Sequence, residues 1–268
     1  IFIRRFSEVR FSQSHSHQPS AKATIFIDIT NKFSMHSVIM VATMEEYPGC
    51  AKNREHKFKR AVQSFLDNLW KEKELIIISD GCRKIENVYY QLYKNESQIR
   101  FLLADKQPLK YPGKLRGIGC EMAAGETVSY LDSDDYIDSH FIAKVHQGIT
   151  LYNLDLLYYD LLVADQHLEY PNLEDFKRGD IIDELKGYKW TAVPSKLERR
   201  MIGTGNISHA ARKSYASYWH NWDGEAGSSE DWRFIESVIK DPAGCCHSRS
   251  KFPTGYYVCH YSPSNVDL

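Results

Sequence analysis

The feature that most limits how this chain can fold is a rhythm. Four short apolar runs, SVIMVAT (37–43), LIIIS (75–79), IRFLLA (99–104) and TVSYL (127–131), alternate with longer stretches in which apolar residues recur every three or four positions. Short apolar runs bounded by polar residues read as buried strands. Between the first two, Phe58, Ala61, Val62, Phe65, Leu66 and Leu69 mark one face of a helix. Leu115, Ile118 and Met122 mark another, with Gly125 placed to stop it. A further helix is expected from near Ser139, and LDLLYYDLLVA (154–164) reads as one more strand. Strand and helix in alternation imply an α/β fold, a Rossmann-type, mostly parallel sheet with helices on its faces.

In such sheets ligands sit beyond the carboxyl ends of the strands. Thr43, Asp80 and Asp132 each stand at or just past such an end and should line one crevice. Asp132 also opens the run Asp132-Ser133-Asp134-Asp135. Carboxylates crowded behind a buried strand repel one another and resist desolvation unless positive charge compensates them. Asp132 and Asp134 offer oxygen alone, which suits Mg²⁺ or Mn²⁺ sharing its shell with phosphate and water. Arg116, or Lys114 near it, could add charge beside phosphates; either could equally be a solvated helix residue.

Composition narrows the classes. A formal net charge of −1 gives no basic field of the kind nucleic-acid binders use, so no nucleic-acid partner is expected. No run approaches the ~18 apolar residues of a membrane span, so no transmembrane segment is expected. The opening IFIRRFSEVRFSQSHSHQPS has no apolar stretch of a signal peptide. Residues 1–34 are expected to be a poorly packed extension, 35–165 the ligand-binding half of a domain, and 166–268 its second half. Six cysteines without a CxxC pair fit reduced thiols in the cytoplasm. The tail CCHSRSKFPTGYYVCHY offers zinc ligands, against the usual tetrahedral spacing. Near the end, GSSEDWRFIESVIK reads as a helix capped by Ser228 or Ser229, with Glu230 and Asp231 in its first turn. Trp219, Trp222 and Trp232 surround that region and could stack on a sugar face or pack inside.

LRGIGCEMAAGETVSYLDSDDYI resembles the central motif of family 2 glycosyltransferases, whose fold is the nucleotide-sugar-binding GT-A type. Arg116, Gly119, Ala123, Gly125, Glu126, Leu131, Asp132, Asp134 and Asp135 fall in register with it, while Gly117 replaces the family's Asn. KELIIISDGCRK is similar to the strand ending in Asp-Asp-Gly-Ser; Asp80 and Gly81 match, Ser79 and Cys82 depart. The first strand keeps Thr43, and an insertion precedes Asn53-Arg54. Glu230-Asp231-Trp232 resembles the acceptor-side Glu-Asp element, and YYVCHYSPSN the terminal motif in which a His approaches the metal or diphosphate. The likeness covers about residues 37–265.

The resemblance implies an enzyme: a metal-dependent, inverting glycosyltransferase moving a sugar from a nucleoside diphosphate, UDP favoured, to a hydroxyl of a glycan or lipid-linked glycan. It implies Asp80 on the nucleotide base, Thr43, Arg116 and Asp132 around the donor, Asp134 with Asp132 and His260 at Mn²⁺ or Mg²⁺, and Asp231 as catalytic base. It also suggests polysaccharide assembly in the cytoplasm, with room for peripheral contact to a membrane-bound acceptor. Two rival readings are a non-catalytic nucleotide- or glycan-binding module of the same fold and a phosphatase with an aspartate nucleophile. The phosphatase motif normally opens its domain, whereas Asp132 lies mid-chain.

Overall fold

The computed structural model describes residues 34–46, 53–107, 112–164, 190–193, 195–199, 202–220, 230–250 and 258–260. The expected extension, residues 1–34, lies outside them but for Ser34. β1 (His36–Ala42), β2 (Lys73–Asp80) and β3 (Ile99–Ala104) run parallel, and β4 (Thr127–Tyr130) pairs parallel on the other side of β1. Beyond β4 come β9 (Ile207–Ala210), β6 (Leu156–Tyr158) and β10 (His247–Arg249), giving the order β10-β6-β9-β4-β1-β2-β3. β9 is antiparallel to both its neighbours, so the sheet is mixed but mostly parallel. A segment from the second half of the chain is thus threaded between two strands of the first.

Alternation along the strands sets the two faces. Val38, Met40, Leu75 and Ile77 point into one core with α1 (Arg54–Asp67) and α4 (Phe141–Tyr152). Ile39 points the other way, with Tyr130, toward α5 (Lys213–His220) and α6 (Glu230–Ile239). On that same side Ile76 and Ile78 meet Leu115 of α3 (Gly113–Met122). Between β2 and β3 lie α2 (Arg83–Val88) and a π-helical turn, Tyr89–Tyr93. β5 (Tyr136–Ile137), β11 (Val258–His260), β7 (Leu161–Ala164) and β8 (Trp190–Val193) form a smaller sheet.

Strand order reverses between β1 and β4, and the crevice at such a reversal is where open α/β sheets bind ligands. Thr43 follows β1, Asp80 ends β2 and Asp132 follows β4, so the topology directs all three toward that edge.

Three expectations need correction. The run 154–164 is two strands in different sheets, broken at Tyr159 and Asp160. Asp160 accepts the Ser195 amide at 3.0 Å and Arg249 at 2.7 Å, while the Tyr159 amide turns to the Asn206 carbonyl. Leu69 does not join the apolar face of α1: that helix ends at Asp67 and Leu69 is 56% exposed. Gly125 does not stop α3, which ends at Met122 with Ala123 extended. A Cβ at Gly125 would stand 2.6 Å from the Ser37 amide nitrogen and 2.7 Å from the Met35 carbonyl, so glycine there lets the chain pass against the start of β1. The Ser228 or Ser229 cap and Trp222 lie outside the described residues.

Candidate active site

Arg116 is the hub. The periodicity of α3 puts it on the buried side of the helix, and its side chain is 8% exposed. From Nη1 it donates to Glu230 Oε1 at 2.8 Å and to Asp231 Oδ1 at 3.0 Å; from Nη2 it donates to Asp132 Oδ1 at 3.2 Å. Its guanidinium also lies over the Trp219 ring, 5.4 Å from the centroid. The reading of Arg116 as a solvated helix residue therefore fails. Its described partners are carboxylates, so it acts on the site through them. Lys114 is exposed.

Glu230 and Asp231 begin α6, and each is fixed by a second bond. The Gly113 amide, at the start of α3, donates to Glu230 Oε2 at 2.9 Å. The Thr204 amide donates to Asp231 Oδ2 at 3.3 Å. Burial pushes the Glu230 carboxyl up to about 7, against the pull of Arg116 and helped by the neighbouring Asp231 charge. Asp231 is also raised, by burial first, with Arg116 opposing and Asp132 adding repulsion. Burial disfavours the charge on Arg116, yet Asp231, Asp132 and Glu230 together hold it above its ordinary value. A cation that stays charged between these carboxylates is what permits the cluster to be partly buried.

The acidic turn follows β4. The Asp135 amide donates to the Asp132 carbonyl at 3.0 Å, Asp135 is buried, and Asp134 is half-buried. The Asp132 side chain is 38% exposed and gives one oxygen to Arg116. Such hard oxygen donors fit Mg²⁺ or Mn²⁺ provided phosphate and water complete the shell. Among the described residues, no group of three or more His, Cys, Asp or Glu side chains is arranged to hold a metal unaided. Of His260 the backbone alone is described, paired with Val163, so its expected metal contact lies outside the described side chains. The same holds for Cys259, while Cys245 and Cys246 are free thiols.

On the far side of β1, Asp80 Oδ1 accepts the Gln107 amide at 2.7 Å; burial raises its pKa and that bond opposes the shift. Gly81 follows at φ +64°, where a Cβ would meet Lys106 Cβ at 2.6 Å. Ser79, which replaces a family aspartate, closes this turn by donating to the Cys82 carbonyl and accepting the Cys82 amide. The Thr43 carbonyl accepts two bonds from Arg54, and its hydroxyl accepts the Glu45 amide at 3.2 Å. The other departure, Gly117, is matched by His220: a Cβ at 117 would stand 2.7 Å from the imidazole Cε1.

The structure thus brings Arg116, Asp132 and Asp231 into one cluster, with Asp134 two residues along the turn. Thr43 and Asp80 sit at the ends of the adjacent strands. Trp219 is core: 1% exposed, stacked on Phe234 at 4.1 Å and donating to the Tyr130 hydroxyl at 2.9 Å. Sequence reasoning assigned nothing to Glu230 itself, nor to the Gly113 amide that holds it. The adjacent Glu-Asp pair was a usable signal for Glu230; nothing in the sequence marks a backbone amide.

A family model for glycosyl transferase family 2 matches residues 50–204. Glycosyltransferase GlyA of Streptococcus pneumoniae serotype 4 is 19% identical over 165 residues, 56% of this chain and 23% of that protein. A Haemophilus influenzae protein named as an uncharacterized glycosyltransferase is 24% identical over 169 residues, 62% of this chain and 66% of that protein. Residues 1–349 of S. aureus TarS superpose with a TM-score of 0.56 at 17% identity, covering 84% of this chain and 60% of that one. The same fragment in complex with UDP-GlcNAc gives 0.52 at 17% identity, covering 81% and 59%. The TarS likeness shows the expected α/β fold, and the chain spans less than two thirds of the length of these relatives. The matched span holds α1, the strand ending at Asp80, Arg116 and the acidic turn; with more than half of its residues in that match, the chain belongs to glycosyl transferase family 2.

Proposed function

We propose that this protein is a metal-dependent, inverting glycosyltransferase that moves a sugar from a nucleoside diphosphate to a hydroxyl of a glycan or lipid-linked glycan. The observation that carries the reading is the shared cation. Arg116 binds Asp132, on the donor side, and Asp231, on the opposing helix, so the two carboxylates flank one space. UDP is the favoured nucleotide, supported by the TarS complex with UDP-GlcNAc.

Asp80 takes the nucleotide base, offering the carboxylate oxygen that Gln107 does not occupy, with Thr43 beside it. Asp132 and Asp134 hold Mg²⁺ or Mn²⁺, and His260 is proposed to approach it. When bound, the cation offsets the charge that develops on the departing diphosphate. Asp231 takes the proton of the acceptor hydroxyl as that oxygen attacks the anomeric carbon. Its raised pKa makes it a stronger base, and the Thr204 amide and Arg116 fix its direction. Base and leaving group on opposite sides of the sugar give one displacement and inverted configuration.

Ser79 and Gly117, the departures from the family pattern, each have a local structural partner, and the Glu-Asp pair is kept. No described helix is long and apolar enough to cross a membrane. A cytoplasmic setting is part of the proposal; the free thiols of Cys82, Cys120, Cys245 and Cys246 suit a reducing compartment. Peripheral contact with a membrane-bound acceptor is compatible with it.

The test is a panel of nucleotide sugars with Mn²⁺ or Mg²⁺, read by melting temperature and by slow donor hydrolysis. One nucleotide class should raise the melting temperature, lose its effect with EDTA, and release sugar of inverted anomeric configuration by NMR. No metal-dependent shift with any donor would sink the enzyme reading in favour of the binding module.

A further inference from the structure

One helix accompanies the acidic turn along its length. Arg60 of α1 donates from Nη2 to the Asp134 carbonyl at 2.5 Å. The Ser64 hydroxyl accepts the Ile137 amide at 3.1 Å, and Asn68 donates from Nδ2 to the Asp138 carbonyl at 2.9 Å. Just past the helix, the Leu69 amide donates to the Ser139 carbonyl at 2.8 Å. Arg60 and Ser64 are four apart on one face of the helix, and Asn68, the residue that ends it, continues their line. This line therefore holds the backbone of 134–138.

Lys57 lies on the same side, nearly one turn earlier. It is 2% exposed, and it interacts electrostatically with Asp134 and Asp135 as well as with the neighbouring cations Arg60 and Arg54. An ammonium group loses several kcal/mol of hydration on such burial unless carboxylates offset it. Two cations beside it add to the cost, and Asp134 and Asp135 offset part of it.

We propose that Lys57 is a built-in counter-cation of the acidic turn, against which a divalent ion at Asp134 must compete. The inference rests on the reading of Asp132 and Asp134 as cation ligands. It assigns Lys57 a positioning role: with no donor bound, the ammonium group offsets the turn's charge and keeps its affinity for metal low. A diphosphate adds oxygen ligands and negative charge, so donor and cation enter together. Removing the ammonium charge should therefore raise the turn's affinity for metal with or without donor.

The experiment titrates Mn²⁺ with the full chain, following free Mn²⁺ by electron paramagnetic resonance, with and without UDP. In the wild type UDP should tighten Mn²⁺ binding at least about tenfold. Lys57→Met keeps the apolar stem and removes the charge; it should bind Mn²⁺ alone about tenfold more tightly than wild type. Lys57→Arg keeps the charge and should behave as wild type. If the Met variant does not fold, judged by circular dichroism, Lys57→Gln is read by the same criteria. A folded neutral variant that binds Mn²⁺ no more tightly than wild type overturns the inference alone. Wild-type protein that binds no Mn²⁺ even with UDP overturns it together with the metal-dependent reading.

Discussion

At residue 116 a single guanidinium answers to three carboxylates, and the consequences of removing it can be worked out. Arg116→Met leaves Glu230 and Asp231 without their cation in a largely buried place, which costs about 3 kcal/mol of stability in urea denaturation. The loss should be smaller at pH 5 than at pH 8. The sign follows from Glu230: its folded pKa, about 7, stands above the unfolded value, so its favourable contribution is lost as pH rises through that range. Without Arg116 the carboxyl rises further, so acid relieves the variant. Arg116→Lys should restore little, because a compact ammonium cannot reach three carboxylates as a planar fork does. An equal deficit at both pH values would mean that the carboxylates are solvated and the hub is weak.

At the scale of elements, the join between α3 and α5 shows how a departure from the family pattern is absorbed. Gly117 leaves room for the His220 ring, whose Nε2 also lies 3.2 Å from Glu121 Oε1. Restoring the family residue, Gly117→Asn, should therefore destabilise the protein by about 1–3 kcal/mol through overpacking. Added His220→Ala should recover most of that loss, because the two positions contend for one volume. If the double variant is as unstable as the sum of the singles, the contact is not the cause. This pairing could not be read from the sequence, since residues 117 and 220 are far apart in the chain. The strands were legible because each apolar run has a polar end, as Thr43, Asp80 and Asp132 supply. Residues 154–164 misled because LDLLYYDLLVA is apolar on both sides of Asp160, and the break is made by Ser195 and Arg249. Leu69 misled because helical spacing continues past Asn68, whose amide side chain leaves the helix for Asp138.

Across the whole molecule, buried histidines on both sides of the central sheet tie stability to pH. His36 and His146 share the Thr127 hydroxyl at 2.7 and 2.6 Å, and His209 accepts the Tyr130 hydroxyl at 2.8 Å. Burial lowers all three pKa values, His209 to about 4 and His36 well below the ordinary value with His146 and His209 adding repulsion. For groups lowered in the fold, the contribution is fully present above the unfolded value near 6.5 and is lost as pH falls toward the folded values. Glu230 works the other way between about 4.5 and 7, and the raised Asp231 and Asp80 add to it, against the four lowered imidazoles of His36, His56, His146 and His209. The urea midpoint should therefore fall between pH 7.5 and pH 5; a constant or rising midpoint would contradict this balance. At this scale the α/β architecture was legible from alternation alone, and Thr43, Asp80 and Asp132 stand at or just past strand ends as expected. The placement of Asp231 beside Asp132 was not legible: they lie far apart in the chain, and the insertion of β9 and the docking of α6 depend on pairings that no local pattern encodes.

The central claim is that Asp231 faces, across one cleft, a donor held at Asp132 and Asp134. It is tested most directly by donor hydrolysis, in which water stands in for the unknown acceptor. With the nucleotide sugar that raises the melting temperature most, Asp231→Asn should bind donor within about threefold of wild type yet hydrolyse it at least about 100-fold more slowly. Asp134→Ala should lose the Mn²⁺-dependent binding itself. Hydrolysis by Asp231→Asn within a few-fold of the wild-type rate would place the base elsewhere and contradict the account.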